Sequence, residues 1–391
     1  MTGLRGSAFI ESAAREWRFL LSNPWELALA TWLPLLCLAI YAWLLHAGVP
    51  RDLPIAVVDD DRSALSRELI RIVDASAGLE IVSRPRSREE AFAAARSLDV
   101  YAILYIPPGA TRSIARGGSA TVFGFYNASY QTAGQSAIRD IGTAVQELGT
   151  RIAHRELART RGPAQVRSAP VIVQSSLLFN PGRSYEYFLL GLLAPALLHF
   201  ALCLSIVGAL GRELRDGTVL SWLGSERKAL LPAVAGKAAP YLLIIGLEGV
   251  ASLVWLTLVR GELVRGSVTM LVLAQTLLFA AYAAIGLLLV GLTRNMGEAL
   301  TLTAVYAGTS LPFSGGTFPT VGAPTFVRVW SSALPFTAYV KLQAEQLYVG
   351  SPVAISLIHI VVLSLFVVIP GVLGLRLYAR AAHDPAAWGL R

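Results

Sequence analysis

Apolar residues come along this chain in long runs, separated by polar stretches of two kinds, some short and basic, one long and mixed. Glu26 to His46, Tyr187 to Leu210, Pro240 to Val259, Val268 to Leu292, Glu298 to Pro312 and Pro352 to Leu375 read as six spans. Most approach the roughly 20 apolar residues that a helix needs to cross about 30 Å of hydrocarbon. Ahead of the first, Ser7 to Leu21 sets Ile10, Ala13, Ala14, Trp17, Leu20 and Leu21 on one helical face with Glu11, Arg15 and Arg18 around it. This predicts an amphipathic lead-in lying at the membrane surface, and Asn23-Pro24 breaks its direction. A cleaved signal peptide is the competing reading. The polar lead-in is long, the apolar run is full length and no A-x-A-like site follows, so an uncleaved anchor fits better.

Between Pro50 and Arg183 the pattern changes to that of a soluble domain of ordinary size. LPIAVVDDD, LEIVS, VYAILYIP and ATVFGFYN read as strands. Ser63 to Asp74, Arg88 to Ser97 and Thr111 to Arg116 read as helices between them, which predicts a small α/β layer. Ile138, Ile141, Val145, Leu148 and Ile152 then recur at three and four residues. That seam either packs a long helix on its own sheet or forms a dimeric coil. Asn127-Ala128-Ser129 fits a glycosylation acceptor, a pattern frequent by chance.

The polar interruption between the second and third runs, residues 211–239, carries Arg212, Arg215, Arg227, Lys228 and Lys237 on a short connection. An excess of Lys and Arg near membrane ends marks the cytoplasmic side. Val219, Leu220, Trp222, Leu223, Leu230 and Leu231 add an apolar component. Part of the loop is therefore either a short helix at the interface or against a partner, or a plain basic connector touching headgroups. With this loop inside, the domain of residues 50–183 lies outside and both termini face the cytoplasm. The cations agree: twelve named positions fall inside (Arg5, Arg15, Arg18, Arg212, Arg215, Arg227, Lys228, Lys237, Arg294, Arg376, Arg380, Arg391), against four outside (Arg260, Arg265, Arg328, Lys341). Residues 314–350 are too apolar for an ordinary loop and too broken by Gly315, Gly316, Pro319, Gly322, Pro324 and Pro335 for one helix. Non-helical backbone at membrane depth must be shielded or line a wet cavity. The segment reads as short re-entrant or interfacial helices at the outer end of the bundle, with a pore lining as the alternative.

Composition sharpens this picture. A chain of 391 residues with 54% hydrophobic and 15% charged residues and mean hydropathy +0.57 is that of a polytopic membrane protein. The net charge of +8 raises nucleic-acid binding, but the cations flank apolar runs and form no stripe with interleaved aromatics. Cys37 and Cys203 both fall inside predicted spans, so no disulfide framework is indicated. There is no G-x-x-x-x-G-K-[ST] phosphate loop, since Gly236-Lys237 is followed by Ala238, and no H-E-x-x-H, C-x-x-C or G-x-S-x-G. His46, His154, His199, His359 and His383 lack metal-ligand spacing. Glu248 is the one carboxylate near the middle of a predicted span, with His199, Gln275 and His359 as candidate neighbours from other helices. A charge at that depth is costly, so Glu248 is read either as a functional group or as one end of a satisfied interhelical hydrogen bond.

The order of these stretches resembles the permease subunits of type-two ABC exporters, in the subgroup with a large extracytoplasmic insertion after the first span. REWRFLLSNPWELALATWLPLL resembles the family's elbow helix and first span, and LPIAVVDDDRSALSRELI with YAILYIPPGATRSIARG resembles the insertion. LFNPGRSYEYFLLGLLAP resembles its re-entry, and SGGTFPTVGAP with LPFTAYV the outer segment. Arg212, Glu213, Gly217 and Thr218, with Gly236, Lys237, Pro240 and Tyr241, match the family's E-x-x-x-G-T and G-K-x-x-P-Y pattern. Pro195 and His199 depart from it, standing where relatives carry small and aliphatic residues.

The resemblance implies a membrane all-α bundle of six transmembrane helices with an inserted α/β extracytoplasmic domain and an N-terminal elbow. The expected divisions are 1–25 for the elbow, 26–49 for the first span, 50–183 for the outer domain and 184–391 for the remaining spans. It further implies no enzymatic activity and no cofactor of the chain's own, ATP being bound by a separate cytoplasmic ABC ATPase. The other implied partners are a second permease, identical or not, membrane lipids and, as a further candidate, a periplasmic adaptor, in a bacterial inner membrane and without nucleic acid. Arg212, Glu213, Gly217, Thr218, Gly236 and Lys237 are then the expected ATPase-coupling residues. Two other classes stay open: an envelope receptor or sensor whose outer domain binds a ligand, and a membrane-embedded transferase using Glu248 and a His.

Overall fold

The computed structural model describes residues 2–46, 51–116, 118–127, 131–161, 184–223 and 230–389. Ala128 and Ser129, the re-entry residues 178–183, Arg227 and Lys228 lie outside them. The chain divides into two compact units, one of Met1–His46 with Leu178–Arg391 and one of Ala47–Leu177.

The first unit opens with α1 (Thr2–Ser22), α2 (Pro24–Ala30) and α3 (Trp32–Leu45). Pro24 occupies the first turn of α2, where its missing N–H costs nothing. A break at Thr31 bends α2 from α3 by 42°. The sequence places Ile10 and Leu21 on the apolar face of the lead-in, and both are exposed; among its described side chains the buried positions are Ser12, Glu16 and Leu20, four residues apart. The inward face is mixed: Leu20 and Trp17, from the predicted apolar face, pack on the core, while Ser12 and Glu16 meet polar and charged partners.

The second unit alternates β1 (Leu53–Asp59), α4 (Ala64–Asp74), β2 (Leu79–Ser83), α5 (Arg88–Arg96), β3 (Ala102–Ile106), α6 (Ala110–Ala115), β4 (Phe123–Tyr126) and α7 (Gln131–Arg161). The sheet order is β2-β1-β3-β4. β1 pairs parallel with β2 and β3, and β4 closes the other edge antiparallel to β3, with Leu104 opposite Gly124. β3 is buried at all five positions, the mark of a central strand covered on both faces. One face packs Ile55, Val57, Leu104 and Ile106 against Leu69 and Val73 of α4 and Ile141 and Leu148 of α7. The seam on α7 is therefore spent on its own sheet, which decides between the two readings of it.

After residue 184 the first unit resumes with α8 (Tyr185–Arg215), α9 (Val219–Leu223) and α10 (Leu230–Val254), which runs on through a π-helical turn, Trp255–Val259. There follow α11 (Val268–Thr293), α12 (Met296–Gly308), α13 (Ser310–Phe313), α14 (Thr325–Ser332), α15 (Pro335–Gln343) and α16 (Val353–Ala382). Among the described residues four helices are long and apolar enough to span, Tyr185–Arg215, Leu230–Val259, Val268–Thr293 and Val353–Ala382, or five if α2 and α3 form one bent span. The remaining predicted span, residues 298–312, falls on α12 and α13, whose 13 and 4 residues are each shorter than the roughly 20 that a crossing takes. α8 is the core helix, with Leu198, Leu202, Cys203, Ile206 and Val207 at 1% exposure or less. α11, α12 and α10 surround it.

Pro195 inside α8 cannot donate to the carbonyl of Gly191, and Gln343 of α15 supplies the missing donor, Nε2 to Gly191 O at 2.7 Å. His199 answers the same proline from the other side. Its Nδ1 lies 2.7 Å from Pro195 O, its Nε2 3.4 Å from Ala307 O, and its ring stacks on Tyr282. The departure from the family pattern at 195 and 199 is thus one packed arrangement binding α8 to α12 and α15.

Candidate functional site

Among the described residues, the highest density of buried charge lies where the ends of α8 and α10 meet α1. α8 ends in a Schellman motif: Gly217 adopts φ +65°, its N–H donates to Leu214 O, and the Thr218 N–H donates to Glu213 O. Only a residue without Cβ takes that conformation freely. Thr218 then returns its hydroxyl to Glu213 Oε2 at 2.5 Å. The E-x-x-x-G-T spacing is therefore a helix stop that also aims a carboxylate.

That carboxylate meets Lys237, whose Nζ lies 2.7 Å from Glu213 Oε1 and 2.6 Å from Glu16 Oε2. Glu16 is approached on its other oxygen by Arg212 at 2.8 Å and by the Tyr241 hydroxyl at 2.7 Å. Glu16, Lys237 and Glu213 are 1%, 1% and 2% exposed, and Arg212 9%. Two carboxylates and two cations balance, as charges this deep must. Arg15 of α1 adds a rim contact to Glu213 at 3.1 Å, and Arg212 stacks 3.3 Å from the Phe19 ring centre while standing 3.9 Å from Glu26. Ser12 donates to Ala233 O at 2.7 Å and accepts from Trp222 Nε1 at 2.8 Å, so α9 is tied in as well.

Burial alone would raise the carboxyl pKa of Glu16. Lys237 and Arg212 beside it, with hydrogen bonds from Lys237 and Tyr241, outweigh that and hold it below the usual value.

The second motif serves the same meeting point. A Cβ at Gly236 would stand 2.3 Å from the Phe9 carbonyl oxygen. Glycine is thus what lets α1 lie directly on α10 and brings Glu16 within reach of Lys237 and Tyr241. All six candidate coupling residues, Arg212, Glu213, Gly217, Thr218, Gly236 and Lys237, converge here. Glu16 and Ser12 did not stand out in the sequence; their signal was a polar pair four residues apart, in register with Leu20.

The intramembrane candidates do not gather. His199 is engaged by Pro195 and Ala307, and the His359 Nε2 lies 3.2 Å from Glu345 Oε1. Gln275 lies against Gly249, where a Cβ would come 2.3 Å from its Nε2. Glu248 is 5% exposed, and its Oε2 is buried without a hydrogen-bond partner. A second cluster, unforeseen from sequence, sits at the opposite end of α8 from the charged one. Buried Glu186 accepts from Arg260 at 2.7 Å and Trp255 at 3.2 Å, and Arg260 also donates to His46 O at 2.7 Å.

A family model described as ABC-2 family transporter protein matches residues 24–376. No curated protein and no solved structure matches the chain.

Proposed function

The chain belongs to the ABC-2 transporter family, and from that premise we propose that it is the membrane subunit of an ATP-driven exporter whose ATPase is a separate cytoplasmic chain. The family assignment makes it a multi-pass permease component. The observation that supports coupling is the buried four-charge cluster of Glu16, Arg212, Glu213 and Lys237. It joins α1, the end of α8 and the start of α10 so that none moves alone without stranding a charge.

In this reading the segment after Gly217, including α9, meets the ATPase. Closure of the ATPase pushes on α9, Trp222 passes the displacement to Ser12 of α1, and the ionic cluster carries it into α8 and α10. Such a contact shifts the bundle only by the difference in its affinity for two arrangements, which a rigid junction delivers to both helices together. α1 lies along the inner surface with Ile10 and Leu21 toward lipid, and the sheet domain is extracytoplasmic. A like subunit completes the translocation path.

The test is ATP turnover by the complex reconstituted with its ATPase. Glu213→Gln, which removes charge but little volume, is expected to abolish transport-stimulated hydrolysis while the ATPase alone keeps its basal rate. Stimulation equal to that of the parent complex would refute the coupling role.

A further inference from the structure

α3, α8 and α10 with its extension line a half-open cavity of about 510 Å³, walled by Leu38, Ala42, Trp43, Leu190 and Trp255. Glu248 faces it from α10, nine-tenths buried, with Oε2 unpartnered. The other charged group on the wall, Arg260, is already matched by Glu186 at 2.7 Å and by His46 O. The volume falls in the range of drug-sized ligand sites, roughly 300–1,000 Å³, and the lining is that of such sites: apolar walls with a few polar groups. What the cavity lacks is a partner for one oxygen of the Glu248 carboxyl.

We propose that this cavity is a binding site for an amphiphilic cation, an apolar body of drug-like size carrying one positive charge that sits against Glu248. An acyl chain would fill the walls but leave the carboxyl oxygen unmatched, and an anion would bring it no charge to pair with. The cation satisfies both features at once. The inference uses the membrane setting of the three helices and not the coupling role, and its test needs no ATPase, so failure of one leaves the other standing.

The experiment measures tetraphenylphosphonium binding to the full chain in phosphatidylcholine nanodiscs by equilibrium dialysis, corrected with empty discs. Tetraphenylborate, of the same shape and opposite charge, serves as the comparison on the unaltered chain. Saturable binding of the cation and not of the anion is expected. Glu248→Gln should weaken the cation at least tenfold, and Ala42→Trp, which fills the cavity and keeps the charge, should abolish binding. Both variants are compared at unchanged thermal midpoint. Absence of saturable cation binding, equal binding of the anion, or unaltered affinity in Glu248→Gln would each overturn the proposal. The comparison of the two ions decides even if a variant does not fold.

Discussion

Glu16 holds two cations and a phenol on two oxygens, and its neighbours were contributed from 196 to 225 positions away in the chain. Removing one member of so buried a set leaves the others uncompensated, which costs roughly 3–5 kcal/mol. Glu16→Ala is therefore expected to lower stability by that order, read as a drop in the thermal unfolding midpoint of the full chain in nanodiscs. Glu16→Leu combined with Lys237→Met should recover much of it, because well-packed apolar replacements of a buried pair come out near neutral; a double variant as unstable as the single would count against charge pairing as the cause. The pH dependence has a definite sign. A carboxyl whose folded pKa is depressed contributes stability that is complete above its unfolded value, near 4.5, and is lost as pH falls through the lower folded value. Acid below about pH 4.5 should loosen α1 in the parent chain, and the acid limb should flatten in Glu16→Gln, as followed by hydrogen exchange over residues 2–22. Glu16 was illegible in the sequence because a lone carboxylate among apolar helix residues reads as a surface group. Its meaning depends on Lys237, and no local pattern links two positions 221 apart.

At the scale of elements, two glycines decide how α1, α8 and α10 meet, and they act by different physics. Gly236 is a matter of space: a side chain there runs into the backbone of α1 at 2.3 Å, and a backbone atom cannot rotate aside. Gly236→Val should push α1 off α10, raising exchange and proteolysis of residues 2–22 while the sheet domain keeps its protection. Gly217 is a matter of backbone: nothing lies within 4 Å of its missing Cβ, but its φ is +65°. Gly217→Ala should cost roughly 1–2 kcal/mol and Gly217→Asn less, since Asn tolerates the left-handed region. A thermal-midpoint series of Gly, Asn and Ala in that order checks this, and equal values for all three would contradict it. Both glycines were visible in the sequence as motif positions, but their reasons were not, because a motif records spacing and not what the spacing brings together. The elements of the sheet domain were legible for a simpler reason. Strand runs such as AILYI and capped helices such as Ser63 to Asp74, where Ser63 and Ser66 exchange side-chain and backbone bonds, carry their signals locally. The predicted fifth span is divided at Thr309 into α12 and α13, a break that apolar content alone does not register.

For the whole molecule, what matters is which end of the bundle faces which compartment, and the two charged clusters bear on it unequally. Glu186, Arg260 and the His46 carbonyl gather at one end of α8; Glu16, Arg212, Glu213 and Lys237 gather at the other. The second end has Arg215 and Arg294 nearby, paired with the exposed Asp216 and Asp384; acidic partners count little toward topology, and an excess of Lys and Arg near short loops faces the cytoplasm. The family match spans both units of the chain but does not orient it, so orientation needs its own measurement. With Cys37 and Cys203 replaced by serine and alanine, a single cysteine at exposed Ser221 in α9 should resist a membrane-impermeant maleimide in intact cells and react in inverted vesicles. One at exposed Asp74 at the end of α4 should do the opposite. If Ser221→Cys reacts from outside, α9 cannot be the surface that meets a cytoplasmic ATPase, whatever the ionic cluster does for stability. If both positions behave as expected, α9 lies where an ATPase can push on it, and Glu213→Gln then tests whether the push is transmitted.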